Sequence, residues 1–499
     1  MLSTPCWTMP PLWPNAHDVA SLLHASQIDN RNGVRTMIHI NRRQFLTRTA
    51  AGLAGINASY AWRQAALAEA GERPPNIVVF MADDMGAKEL SCYGHTTHKT
   101  PNLNTLAETG VRFETCYSTP ICHPTRFEIM TGQYGCHNGI FNFANRRGGP
   151  EPDSPVEDIG ANHVTFAEVL KQRDYATGLA GKWQLSGELP TRIYECGFDE
   201  YCIWAYRNYL PEGVEHTGGW EKPDKPSRYW HPCIMKNGQY VPTKSDDYGP
   251  DIYTNFAIDF IRRHKDQPFF FYYPMTLTHG PYLPTPDNVG PEADRYKHRP
   301  ENFKDCVEYT DKLVGRVVAA LDELGLRDKT VVFFTGDNGT GGEGKGEPTE
   351  LGARVPMIVN GPGIVRTRGA TDELTDLSDI LPTVAELAGA GLPEGKVIDG
   401  RSYAGFLRGE TDATREWIFS YIADRRILRT KRWLLEDNSP LHYGRLYDCG
   451  ENRNGAGYTD VTDSEEDEVV AVKKRFDERL KDLPAPHIPE PGPPAAPKS

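Results

Sequence analysis

Four short apolar runs in this chain each stop at a cluster of polar residues, and no other feature restricts the fold as tightly. They read IVVFMADD from Ile77, YATGLAGKW from Tyr175, FFFYYPMTLTH from Phe269 and TVVFFTGDNG from Thr330. An apolar run of this length suits a strand covered on both faces, and stretches with helical spacing separate the runs. One is TPNLNTLAETG, with Thr100 as cap, Pro101 at the first helical position and Gly110 as stop. Another opens on the capping-box pair Thr165 and Glu168. A longer one sets Val307, Val314, Val317, Leu321 and Leu324 on one face before Gly325. The alternation predicts an α/β fold, a large, mostly parallel sheet flanked by helices.

In such a sheet, ligands gather at the carboxyl ends of the strands. Those ends would bring together Asp83, Asp84, Lys182, His279, Asp337 and Asn338. Three carboxylates crowded into one crevice repel unless a hard cation lies among them, and oxygen ligands favour calcium or magnesium over zinc.

The chain has 499 residues, too many for one ordinary core, so a second, smaller domain is expected. Its texture changes near residue 400: EWIFSYIADRRILRTKRWLLE and RLYDC look like short antiparallel strands. A helix capped by Ser464 follows and presents Val469, Val472, Phe476 and Leu480. The expected organisation is a catalytic domain over 71–400, a C-terminal α+β subdomain over 401–483 and a proline-rich tail over 484–499. Residues 200–250, rich in aromatics and proline, read as an insertion. Tyr201, Trp204, Tyr206, Tyr209, Trp220, Tyr229 and Trp230, with Arg207, Arg228 and His231, either stack on a sugar or pack among themselves.

Residues 37–70 carry Arg42 and Arg43 ahead of a weakly apolar stretch, the pattern of a twin-arginine signal cleaved after Ala68 or Ala70. This predicts export by the Tat translocase to a bacterial periplasm or beyond, and residues 1–36 read as a misplaced start. Of ten cysteines, Cys6 would leave with the leader and Cys122 has another role below. Eight remain, an even number that fits either disulfides or buried thiols. The net charge of −13 excludes a surface built to neutralise nucleic acid, and no apolar run is long enough to span a membrane.

The segment STPICHPTRFEIMTGQYG sets Cys122, Pro124, Thr125 and Arg126 ahead of Thr131 and Gly132. It resembles the signature of the formylglycine-dependent (type I) sulfatases, arylsulfatase-like members of the alkaline phosphatase superfamily. Other motifs of that family recur in order: NIVVFMADDMG, GKWQL, THGP, TGDNG and KGEPTELGARVP. The resemblance spans about residues 75–483. It implies that a separate maturation enzyme oxidises Cys122 to formylglycine (3-oxoalanine), whose hydrate is the nucleophile. It further implies calcium, or less readily magnesium, held by Asp83, Asp84, Asp337 and Asn338 with the modified Cys122. Lys182, Lys345 and His279 would neutralise sulfate oxygens, Lys345 or His279 would protonate the leaving alcohol, and Arg126 would hold the hydrate.

The chain departs from the pattern at Gln184, where family members usually have the histidine that takes a proton as sulfate is eliminated. An amide has no such basicity. Thr125 for serine and Leu351 for glycine are smaller changes. The activity so implied is hydrolysis of a sulfated carbohydrate or aryl sulfate. The alternatives are a phosphodiesterase or phosphonate monoester hydrolase on the same scaffold, or a non-catalytic binder of sulfated glycans.

Overall fold

The run beginning at Asn76 forms β1 (Asn76–Ala82), every residue buried, in the interior of a ten-stranded sheet. The computed structural model describes residues 73–143, 159–185, 191–205, 210, 212–214, 228–291 and 294–486. The expected leader, most of the tail, and Tyr206, Arg207, Tyr209 and Trp220 lie outside them. The sheet continues with β2 (Val111–Tyr117), β3 (Ala176–Gly181), β4 (Glu200–Trp204), β5 (Ile234–Lys236), β6 (Gln239–Val241), β7 (Phe269–Pro274), β8 (Thr330–Gly336), β9 (Arg354–Asn360) and β10 (Gly369–Asp376). Their order is β10-β2-β9-β8-β1-β7-β3-β4-β5-β6.

The four runs singled out in the sequence are β8, β1, β7 and β3, parallel neighbours in the sheet. Their aliphatic and aromatic side chains are buried because helices cover the sheet. The helices Pro101–Glu108, Gly249–Arg263 and Asn302–Glu323 pack together, as do Cys122–Thr131, Phe166–Lys171 and Ile380–Ala388. Thr165 and Glu168 form the expected capping box. Thr100 holds the N-cap position, but its hydroxyl accepts from the Ser91 N–H at 3.1 Å rather than from the helix. Gly110 follows the helix as expected, and a Cβ there would lie 2.3 Å from the Val359 carbonyl of β9, so the close approach needs glycine.

Residues 200–250 do more than interrupt the fold. They supply β4, parallel to β3, and the antiparallel β5 and β6 at the sheet edge. The described rings are consumed by packing: Tyr201, Trp204, Tyr229 and Trp230 are all buried. Trp230 lies 4.8 Å from Tyr248 and donates Nε1–H to the Pro284 carbonyl. These rings present no stacking face for a sugar.

The C-terminal strands β11 (Trp417–Ile422), β12 (Arg425–Thr430), β13 (Trp433–Asn438), β14 (Arg445–Asp448) and β15 (Thr459–Asp460) form an antiparallel sheet in chain order. Helix Asp467–Lys481 buries Val469, Val472, Phe476 and Leu480 in one cluster with Phe419, Leu428 and Leu435. It starts later than expected: Glu466 occupies the N-cap, and Ser464 accepts from the Glu466 N–H instead. Arg415 joins the two sheets, with Nη1 2.8 Å from Asp376 and 2.7 Å from Asp379 and all three side chains buried. Removing one member of such a buried network costs about 3–5 kcal/mol.

The nine described cysteines are all free, and all but Cys92 and Cys136 are buried. Thus the eight left open by the sequence are thiols. Among the described residues no helix is long and apolar enough to cross a membrane.

Candidate active site

The strand registers align the polar ends. Ala82 of β1 pairs with Gly336 of β8, and Met81 pairs with Pro274 of β7, so Asp83, Asp337 and the segment running to His279 emerge side by side. Backbone bonds lock this arrangement. The Asp83 N–H donates to the Leu277 carbonyl at 2.8 Å, and the Thr278 N–H returns to the Asp83 carbonyl at 2.7 Å. Asp84 then turns into the left-handed region at φ 60°, which Asp tolerates better than most residues, and its N–H donates to Asp337 Oδ1 at 2.9 Å.

Cations surround the three carboxylates. Lys182 Nζ donates to both Asp83 oxygens at 2.8 Å, and Lys345 Nζ lies 2.7 Å from Asp84 Oδ1. Arg126 reaches Asp337 Oδ2 at 2.6 Å and Asp83 Oδ1 at 3.4 Å, while its Nη1 donates to the Lys182 carbonyl. Arg126 thus clamps the strand ends together, a wider task than holding one group at Cys122.

Burial raises the cost of charge on all three acids, but the outcomes differ. Asp83 is held well below the usual carboxylate range, with Lys182, His279, Arg126 and Arg228 outweighing burial. Asp84 is lowered in the same sense against burial, by His279 and Lys345. Asp337 goes the other way, pushed up to about 7 by burial and the neighbouring Asp83 charge despite Arg126. His279 is driven down to about 3, first by burial and then by Arg228. Its Nδ1 faces the Gly280 carbonyl at 2.7 Å and so carries the proton, leaving Nε2, 3.6 Å from Asp84, as an acceptor.

Donor atoms of Asp83, Asp84 and His279 converge within 4.8 Å of one another. Asn338 donates its amide N–H to Asp84, yet its buried Oδ1 has no hydrogen-bond partner. A buried amide oxygen without a donor beside three carboxylates fits a hard divalent cation.

Cys122 is the first residue of helix Cys122–Thr131 and is buried against Ile121 and Ile422. Thr125 turns its hydroxyl back onto Thr119, 2.6 Å between the two Oγ1 atoms, fixing the loop that delivers the cysteine. Gly132 ends the helix at φ 67°. Gln184 sits at φ 52° beyond β3, and its backbone bonds the His123 ring next to Cys122. That imidazole is held down at about 4 by burial, opposed by the Gln184 bond. The Gln184 Oε1 is buried without a partner.

One residue at the site carried no motif. Arg228 is buried, stacks on Trp204 at 4.2 Å and lies 3.7 Å from Asp83 Oδ2. Only its place among the aromatics of its segment hinted at an anionic neighbour. A second convergence, Glu89 with His95 and His98, shares no residue with that of Asp83, Asp84 and His279. There, His95 Nδ1 accepts backbone N–H groups of Thr97 and His98, and His98 Nδ1 donates to the Glu89 carbonyl, so the rings serve the local turn.

A sequence model of the Sulfatase family matches residues 75–390. The chain belongs to the sulfatase family. It is a sulfuric ester hydrolase, and the fold, a large mixed sheet with a small antiparallel C-terminal sheet, is that of sulfatase structures. Human arylsulfatase A is 34% identical over 383 residues, covering 70% of this chain and 71% of that protein. The N-acetylgalactosamine-6-sulfatase of Canis lupus familiaris is 31% identical, covering 70% of each. Among solved structures, a protein described with glycosaminoglycan metabolism in Bacteroides thetaiotaomicron superposes with a TM-score of 0.65 at 24% identity, covering 83% of this chain and 99% of that one. Ps i-CgsB in complex with k-i-k-neocarrahexaose gives 0.65 at 24%, covering 82% and 93%.

Proposed function

We propose that this sulfatase releases inorganic sulfate from a sulfated carbohydrate or aryl sulfate after a maturation enzyme has converted Cys122 to formylglycine. Asp83, Asp84, Asp337 and Asn338, with the modified Cys122, would hold a calcium ion. The observation that carries this reading is the place of Cys122, at the head of a helix clamped by Arg126 to the same strand ends that gather the carboxylates.

The hydrated aldehyde would supply a hydroxyl nucleophile, and the cation would neutralise sulfate oxygens and acidify that hydroxyl. The chain's own residues do the rest. Arg126 fixes Asp337 and the Lys182 backbone, so the Cys122 loop and the strand ends keep one geometry. Lys182 and Lys345 present two ammonium groups to an anionic substrate. Burial works against the Lys345 charge, but the Asp84 carboxylate 2.7 Å away favours the ammonium form, so Lys345 keeps a proton to give the leaving alcohol. His279 holds its proton on Nδ1 and offers Nε2 as an acceptor, so of the two candidate acids Lys345 is the better placed.

The Arg42-Arg43 pair supports export by the Tat translocase, and with it a periplasmic or extracellular site of action. The scaffold also suits phosphorus esters. Initial rates on matched aryl sulfate and aryl phosphate diesters separate the two: faster release from the sulfate is expected, and preference for the phosphate would reassign the enzyme.

A further inference from the structure

Lys345 stands on residues 339–346, where five of eight positions are glycine and Gly342, Gly344 and Gly346 all take positive φ. So glycine-rich a chain loses much conformational freedom when held in one shape, and its ammonium keeps one place only if the loop is fastened from outside. Lys345 supplies one fastening, its Nζ reaching both Asp84 oxygens at 2.7 and 2.8 Å. The Gly346 N–H supplies another, donating to the Pro120 carbonyl at 2.6 Å. Two more come from the short turn Ala87–Glu89, close behind Asp84 in the chain. Lys88 pairs with Glu343 at the surface. Beneath that pair, the buried Thr340 Oγ1 donates to the buried Glu89 Oε1 at 2.8 Å and accepts the Gly86 N–H at 3.2 Å. The carbonyl of the same Thr340 accepts the N–H groups of Glu343 at 3.1 Å and Lys345 at 3.2 Å. The Glu89 carboxylate is steadied from its other side, where Oε2 lies 3.6 Å from His98 Nδ1 and 4.0 Å from His95 Nε2 and the two rings stack 3.5 Å apart. Because His95 Nδ1 accepts backbone N–H groups, its ring proton lies on Nε2, toward Glu89.

We propose that Glu89 is a positioning residue for the reaction: through Thr340 it sets where Lys345 stands, and so how well the leaving alcohol is protonated, a role that rests on the reading of Lys345 as the acid. Glu89 acts without touching substrate or cation. The path runs from Glu89 Oε1 to Thr340 Oγ1 and from the Thr340 carbonyl to the Lys345 N–H, with both bonds at 3.2 Å or less. As the S–O ester bond breaks, its electron pair stays on the departing oxygen, which takes a proton from the Lys345 ammonium and leaves a neutral amine. The more basic that oxygen, the more its departure depends on the proton, so a displaced ammonium costs most with a basic leaving alcohol. The His95–His98 turn, which holds Glu89 from behind, thereby belongs to the machinery that places the acid.

The test measures kcat/KM of the matured enzyme on phenyl sulfate and on 4-nitrophenyl sulfate for wild type, Thr340→Val, Thr340→Ser, Glu89→Ala and Lys345→Ala. Phenol is the more basic leaving alcohol, so the phenyl ester leans harder on the acid. Thr340→Val keeps the side chain's shape and removes its hydroxyl. It should lower the phenyl to nitrophenyl ratio about tenfold, as should Glu89→Ala, while Thr340→Ser should keep the wild-type ratio. If Glu89→Ala does not fold, Thr340→Val against Thr340→Ser carries the comparison unaided. Equal losses on the two esters would make the pair merely structural and overturn the proposal. A ratio unchanged in Lys345→Ala would instead overturn the reading of Lys345 as the acid, and with it the link to catalysis. Hydrogen exchange at the Glu343 and Lys345 amides decides the fastening without reference to activity: exchange about tenfold faster in Thr340→Val than in wild type and Thr340→Ser supports it, and unchanged exchange refutes it.

Discussion

Arg126 Nη2 lies 2.6 Å from Asp337 Oδ2, so the helix that begins at Cys122 is fastened to the end of β8 by a buried ion pair. Asp337 is nevertheless the carboxylate least willing to be charged, because burial and Asp83 outweigh the guanidinium and push it up to about 7.

A proton and a cation therefore compete for Asp337. Above pH 7 the carboxylate is free to take the cation; below it, a proton must first be displaced. The apparent calcium affinity should fall by up to about tenfold per pH unit as pH drops below 7, measured by competition with a chelator. Asp337→Ala should purify without stoichiometric calcium and without activity. Unchanged metal content in that variant would remove Asp337 from the ligand set.

Gln184 makes a kinetic prediction. Its buried Oε1 has no partner, and an amide can orient a hydroxyl but not deprotonate it. Alcohol release should run ahead of sulfate release, giving a burst followed by slower turnover in stopped-flow traces. Gln184→His should shrink the burst, since histidine also tolerates the φ of 52° found there. Linear alcohol release from the first turnover of the wild type would rule out a slow second step.

Glu128 supplies a stability prediction. It is fully buried on the Cys122 helix, both carboxylate oxygens lack a hydrogen-bond partner, and burial with Asp376, Asp399 and Asp379 nearby raises its pKa well above the usual value. A raised carboxyl pKa costs nothing below the unfolded value near 4.5 and costs stability as pH climbs past it. Glu128→Gln removes that linkage, so it should stabilise the fold at pH 8 and change it little near pH 4.5. A pH-independent difference in urea midpoints would show that ionisation of Glu128 is not the cause.

Much of the sheet and the candidate site was legible because both are local signals. Each central strand is an uninterrupted apolar run, and Asp83, Lys182 and Asp337 lie within one or two residues of a strand end. The helix face Val469, Val472, Phe476 and Leu480 was legible for the same reason. What the sequence concealed depends on tertiary contact. Nothing in the sequence marks Glu128 as buried, yet every residue of its helix is. Arg228 reaches Asp83 only because its segment folds back over the sheet edge, and the short β5 and β6 are too brief to stand out among loop residues.

The central claim is that Cys122 becomes the reacting group of a sulfate ester hydrolase, and it is tested most directly by following inorganic sulfate release after coexpression with a formylglycine-generating enzyme. Wild type should release sulfate, with the Cys122 peptide carrying the aldehyde mass. Cys122→Ala should fold with an unaltered thermal midpoint and lose turnover by several orders of magnitude. Sulfate release at the wild-type rate from Cys122→Ala, or from a protein whose Cys122 is still a thiol, would contradict the account.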